Sequence, residues 1–181
     1  MKKYSIKTNK FNDSYIINWL IWENPKNAIL SDKITSKKIS YKYRSARVFS
    51  RKKHNKFVTI KIPVSRYGDI YVDKIIHSST TIHTLMKYLY NFYQQFITQN
   101  EFDKLFDGLP TDIDDYYIIN ARQMLMENKL VTYLDLIGTK CFGPLLSIIK
   151  NDRNILNCIG LVRFEGLIEI SKNNYLIALG N

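Results

Sequence analysis

Cysteine, proline and glycine are scarce in this sequence, and no long apolar run interrupts it. The 181 residues include two cysteines, four prolines and seven glycines. Cys141 and Cys158 have neither the spacing of a zinc site nor the number needed for a secreted disulfide framework, so we expect a reducing compartment and no metal. The longest apolar run, near residues 16–22, is far shorter than the about 20 residues of a bilayer-spanning helix. We therefore expect a cytoplasmic protein with no membrane partner.

Acidic residues are missing from one long stretch of the chain. Residues 33–68 contain no Asp or Glu, and residues 1–66 contain 17 Lys and Arg but only three acids. Such a one-sided field is usually compensated by a polyanion, and nucleic acid is the commonest one. A solvated, solubilising surface is the alternative. Abundant Lys, Ile, Asn and Tyr indicate an AT-rich genome, that of a large DNA virus or of an AT-rich protist. For a viral protein the location would be the host cytoplasm.

The absence of a Pro-, Gly- or Ser-rich linker predicts one domain over residues 1–181. Strands are predicted at 15–22, 39–43, 58–64, 70–76 and 116–120, and near 159–164, 167–171 and 175–179. The strands at 39–43 and 58–64 flank a basic tip at 51–56 and favour an inserted hairpin. Apolar spacing predicts helices over 81–97 and from Leu125 to Ile137, and Lys172-Asn173-Asn174 predicts a hairpin turn. The fold class is therefore α+β, an antiparallel sheet with helices on one face.

Catalytic patterns are weak, and we expect no enzyme and no cofactor. The three histidines lack cysteines or carboxylates at metal-ligand spacing. The cluster of three aspartates in residues 112–115 is more typical of a solvated turn than of an acid–base or metal site. Aromatic residues interleaved with cations in residues 41–67 are typical of nucleic-acid binding, although Tyr41 and Tyr43 fit the buried face of a hairpin better.

Several short motifs, in order over residues 15–180, resemble the mRNA cap-binding translation initiation factor 4E family. These are Trp19-Leu20-Ile21-Trp22, Thr81-Ile82, Tyr90-Asn91-Phe92, Phe106-Asp107-Gly108-Leu109-Pro110 and Leu136-Ile137-Gly138, with the final hairpin around Lys172. The resemblance implies a curved antiparallel sheet backed by dorsal helices. Residues 33–64 have no counterpart in that family and would form a basic insertion.

The resemblance implies a site for the methylated guanine of capped mRNA. The family holds that base between two Trp rings, but no Trp follows Trp22 here. Tyr67 takes the first ring position, the second falls on Ile113 with Tyr116 as a substitute, and Asp114 takes the place of the acid. The family's phosphate contacts fall on Lys172, with Arg163 and the basic segment (Arg51, Lys52, Lys53 and Arg66) as substitutes.

The resemblance also implies a groove for an initiation scaffold protein of the 4G type. Its residues would be Ile82, Met86, Val131 and Leu134, together with Leu130. The expected function is non-catalytic cap binding in translation initiation. The alternatives are sequence-nonspecific RNA or DNA binding through the basic segment, and a viral structural or interaction module.

Overall fold

The computed structural model describes residues 15–19, 21, 23–32, 47–49, 55–65, 70–107, 116–137 and 163–180. The predicted strand at 39–43 and the predicted acidic loop at 112–115 lie outside these ranges. The strands are β1 (Tyr15–Asn18), β2 (Ile29–Asp32), β3 (Phe57–Pro63), β4 (Tyr71–His77), β5 (Phe96–Ile97), β6 (Val131–Thr132), β7 (Arg163–Ser171) and β8 (Asn174–Gly180). The α-helices are α1 (Ile82–Tyr93), α2 (Gln99–Phe106), α3 (Tyr116–Met126) and α4 (Tyr133–Leu136), and a 3-10 turn spans Pro25–Asn27.

The main sheet has the strand order β4-β3-β8-β7. β3 pairs antiparallel with β4 along its whole length, and β7 pairs antiparallel with β8. The central pair, β3 with β8, is parallel over residues 59–61 and 174–176. The prediction of an α+β fold is thus confirmed, but the purely antiparallel sheet is corrected to a mixed one. Alternation of residue types identifies strands and says nothing about which distant strands meet.

Strand β3 comes from the end of the segment expected to be an insertion, and it lies inside this sheet. Val58, Ile60 and Ile62 are buried on one face, while Phe57 and Lys61 lie on the other, as a period of two requires. Its partners in the described part are β4 and β8. The arm at 39–43 that was predicted to pair with it is outside the described residues.

The last two strands form the predicted hairpin. Lys172 and Asn173 are the turn residues between Ser171 and Asn174, which pair with each other. Asn173 has φ 64°, a left-handed conformation that Asn tolerates better than most residues. The predicted turn at 172–174 is confirmed, with Asn174 already in β8.

Helix α1 begins where the sequence predicts and ends earlier. Thr81 caps it, because the Thr84 N–H donates to the Thr81 hydroxyl over 3.2 Å. The helix stops at Tyr93 instead of Ile97 because Phe96–Ile97 pairs with β6. The Tyr93 hydroxyl donates to the Pro63 carbonyl over 2.8 Å, which fixes the helix end to β3.

Helix α2 follows at once and was not predicted from the sequence. Thr98 and Glu101 form a capping box. The Glu101 carboxylate accepts from the Thr98 N–H over 2.9 Å and from the Thr98 hydroxyl over 2.8 Å. These hydrogen bonds hold the pKa of Glu101 below its ordinary value. The Thr-x-x-Glu spacing before Phe102 was a readable signal for this helix.

The next region corrects two predictions. Residues 116–120 were predicted to be a strand, but they open helix α3, in which Ile118 and Ala121 are buried three residues apart. The helix predicted from Leu125 to Ile137 is interrupted after Met126, and Asn128 has φ 55°. Residues 131–132 form strand β6, and their pairing with β5 overrides the helical preference of the sequence at that point.

Nearly all of the described buried apolar side chains form one cluster that runs from Trp19 to Ile177. Trp19 is fully buried, lies 6.0 Å from Phe164 between ring centroids, and donates its indole N–H to the Glu23 carbonyl over 2.9 Å. The predicted strand at 15–22 is real only to Asn18, where β1 ends. Trp22 lies outside the described residues.

Candidate nucleic-acid interface

Three chain segments meet at one end of the main sheet. They are the start of β3 (Asn55–Phe57), the end of β4 with its turn (His77–Ser79) and the β7–β8 turn (Lys172–Asn173), and we call this region the basic–aromatic end. The Ser78 N–H donates to the Lys56 carbonyl over 2.9 Å, which joins the first two segments.

The β7–β8 turn is joined to the same place by two hydrogen bonds. The Asn55 N–H donates to the side-chain oxygen of Asn173 over 3.0 Å, and the Thr59 N–H donates to the Asn173 carbonyl over 2.8 Å. Asn173 therefore uses both its left-handed backbone and its amide to hold the turn against β3. Lys172, the preceding residue, is exposed beside the start of β3.

The aromatic component of this region is Phe57, whose side chain is 52% exposed. The Lys56 ammonium lies 5.6 Å from its ring centroid, within cation–π range. The His77 imidazole lies edge-on to the same ring, with centroids 5.6 Å apart and planes at 87°. The ring is thus oriented from two sides and still accessible.

The charge of the region is entirely of one sign. Lys56 and Lys172 are exposed, and none of the residues that define the basic–aromatic end is an Asp or a Glu. In the sequence, Arg51-Lys52-Lys53-His54 directly precedes Asn55. An accessible ring can stack a base while the cations around it hold phosphates. This combination is the chemistry of single-strand recognition.

Sequence reasoning predicted Lys172 for this chemistry but missed Phe57. The signal was available, because Phe57 is out of phase with the buried Val58, Ile60 and Ile62 and must lie on the opposite face. It also follows the most basic run of the chain. His77, the partner of Phe57 across the strand pair, is exposed as well.

Most residues predicted for the cap site cannot be placed. Tyr67, Ile113 and Asp114 lie outside the described residues, as do the phosphate candidates Arg51, Lys52, Lys53 and Arg66. Tyr116 is placed, but it is the first residue of helix α3 instead of part of a strand.

Arg163 and Lys172 were predicted to be alternative phosphate contacts in the family-like site. Arg163 begins β7 and Lys172 follows its end. Nine residues of extended chain separate them by about 26–30 Å. The two cations therefore cannot hold the same phosphate, and only Lys172 belongs to the basic–aromatic end.

The predicted scaffold groove is corrected by burial. Ile82 and Met86 are each 1% exposed, Val131 is 0% and Leu134 is 1% exposed. All four belong to the apolar core, so they offer no surface to a partner. Helical spacing predicted the apolar side of α1 but could not tell a core-facing side from a partner-facing one. Leu130, the fifth groove residue, is 71% exposed.

Within the described ranges, no group of three or more His, Cys, Asp or Glu side chains is arranged to hold a metal ion. No helix among those residues has the length and apolarity to cross a bilayer. Comparisons with protein-family models, curated proteins and solved structures found no match to this chain.

Proposed function

We propose that this protein binds single-stranded nucleic acid, without catalysis, at the basic–aromatic end of its sheet. The observation that carries the proposal is the half-exposed Phe57 ring between Lys56 and His77. None of the described residues that define this end is Asp or Glu. A folded chain gains nothing in stability from leaving half of a phenyl ring in water. A base stacked on the ring would cover it.

The stacking step uses Phe57 alone, because every base has a flat face and stacking requires no particular sequence. A stacked base contributes about 1–3 kcal/mol to binding. The edge-on His77 limits rotation of the ring, so less side-chain entropy is lost when a base binds.

The phosphate step uses the cations around the ring. Lys56 and Lys172 belong to two segments that Asn173 ties together, so both cations belong to the same end of the sheet as Phe57. The cations that precede Asn55 in the sequence would continue this path along the backbone of the ligand. Each phosphate contact releases counterions and steepens the dependence on salt.

The test is a salt titration of binding to a labelled single-stranded RNA or DNA, measured by fluorescence anisotropy. Replacing Lys56 and Lys172 with Gln should reduce the slope of log affinity against log salt by about 1.4 for a single strand. The matched control replaces Lys87 and Lys104, which are exposed on α1 and α2, and should leave the slope unchanged. Equal slopes for both double variants, or no binding at low salt, would refute the proposal.

Cap recognition, implied by the resemblance, is a separate proposal, because Tyr67 follows Pro63 and precedes Tyr71, which pair at the end of β3 and β4 away from Phe57 and His77. It uses a carboxylate, predicted to be Asp114, and a ring, predicted to be Tyr67. Methylated-guanosine cap analogue should then compete with capped RNA while GTP does not, and Tyr67→Ala or Asp114→Ala should abolish that difference. Equal competition by both nucleotides would leave general single-strand binding and remove cap specificity.

A further inference from the structure

Strand β4 is the outermost strand on one side of the main sheet, among the strands that the structure describes. It pairs with β3 along residues 71–77, and no described strand pairs with its other side. Ile75 on this strand is 73% exposed, so most of an apolar side chain lies in water beside that edge. An open edge with an exposed Ile is a ready template for another strand.

The pairing with β3 identifies which backbone groups of β4 point toward β3 and which point to the other side of the strand. The Val64 N–H donates to the Ile70 carbonyl and the Ser78 N–H to the Lys56 carbonyl, so even-numbered residues of β4 direct their polar groups toward β3. In an antiparallel pair this direction alternates. The N–H and C=O groups of Tyr71, Asp73 and Ile75 therefore point away from the sheet.

We propose that two copies of this chain pair through β4, antiparallel, with Ile75 opposite Ile75. This register places Asp73 of each copy opposite His77 of the other, next to the central apolar pair. Cross-strand pairs of this kind stabilise a sheet, and like charges directly opposite destabilise it.

The neighbouring registers are less favourable. Sliding the pairing by two residues in one direction places Lys74 opposite Lys74, and sliding it by four places Asp73 opposite Asp73. Sliding it by two in the other direction places Ile75 opposite His77 and separates the two exposed Ile75 side chains. The register centred on Ile75 avoids these like-charge pairs and brings the two exposed apolar side chains together, and it makes about four hydrogen bonds between the copies. The His77 carbonyl is not needed for them, since it accepts from the Thr80 N–H over 3.0 Å within one chain.

The expected dimer is weak. A single strand pair buries less than the about 1,600 Å² of a standard stable interface, so association should depend on concentration. Sedimentation equilibrium over a wide concentration range measures it. Ile75→Lys places two cations face to face and should raise the dimer dissociation constant about tenfold or more. Ile170→Lys, the same change at a 46% exposed Ile on β7, is the matched control and should have no effect.

Cross-linking tests the register itself. With Cys141 and Cys158 replaced by Ser, Ile75→Cys should cross-link the two copies through a short bifunctional thiol reagent, because opposed Cβ atoms lie about 4.5–5.5 Å apart, slightly too far for a direct disulfide. Ile170→Cys should not. A monomer at every concentration, or a dimer that Ile75→Lys leaves intact, would overturn the proposal. Neither readout involves nucleic acid, so the result is independent of the proposed function.

Discussion

Phe57 and His77 are direct partners across the β3–β4 pair, and their rings meet edge-on with centroids 5.6 Å apart. The Ser79 N–H donates to His77 Nδ1 over 3.1 Å, which anchors the imidazole to the turn behind it. An exposed phenyl ring is thus held by a residue that is itself fixed. The exposed aromatic surface of the basic–aromatic end is therefore preorganised, which reduces the entropy lost when a ligand binds.

The β7–β8 turn should be sensitive to the residue at 173. Asn173→Val should destabilise the fold by about 1–2 kcal/mol, because a β-branched residue is strained at a positive φ. Asn173→Gly accepts that conformation and should cost less, although both variants lose the hydrogen bond from Asn55. Urea unfolding of the two variants measures the difference, and equal stability would contradict the assigned turn geometry.

Met86 should behave as a core residue and not as a contact for a partner. Met86→Ala should lower the free energy of unfolding by about 2–5 kcal/mol, because the side chain is 1% exposed in the apolar core. Met126→Ala is the matched control at a 73% exposed Met, and a change within about 0.5 kcal/mol is expected. Similar losses for both variants would return Met86 to the surface and reopen the scaffold groove.

Alkaline pH should destabilise the protein through Tyr93. Burial raises the pKa of the Tyr93 phenol far above its ordinary value, so the folded state keeps a proton that the unfolded chain releases. Stability is therefore fully present below about pH 10, the ordinary Tyr pKa, and is lost as the pH rises further. Tyr175, whose pKa is raised to about 12 by burial and by Glu169, acts in the same direction.

Tyr93→Phe separates this effect from the other tyrosines. The variant should be about 1–2 kcal/mol less stable at neutral pH, because the Pro63 carbonyl loses its donor. It should also lose stability less steeply above pH 10 than the unmodified protein. Thermal unfolding at several pH values tests both effects, and parallel pH profiles would show that Tyr93 is not the buried proton-linked group.

Local patterns predicted the elements that local chemistry determines. Alternating Val58, Ile60 and Ile62 predicted β3, and the three-and-four spacing of Leu85 and Leu89 predicted α1. Tyr116 and its neighbours were predicted to be a strand, and this prediction was wrong. β-branched residues favour strands only on average, and burial of Ile118 and Ala121 overrides that preference.

Long-range features could not be predicted in the same way. The parallel contact of β3 with β8 joins residues more than a hundred positions apart, and no periodicity encodes it. The basic–aromatic end depends on that contact, since it brings Lys172 to Lys56. Sequence therefore supplied the charge of the candidate site and one of its cations, while the ring that carries the proposal required the fold.

The most direct test of the central claim compares two exposed phenylalanines. Phe57 is 52% exposed at the basic–aromatic end, and Phe96 is 60% exposed on β5. With one labelled single-stranded oligonucleotide at fixed salt, Phe57→Ala should raise the dissociation constant about fivefold to 150-fold, the loss of one stacked base. Phe96→Ala should change it by less than about twofold. Equal affinities for the two variants, with both folded by circular dichroism, would contradict the account.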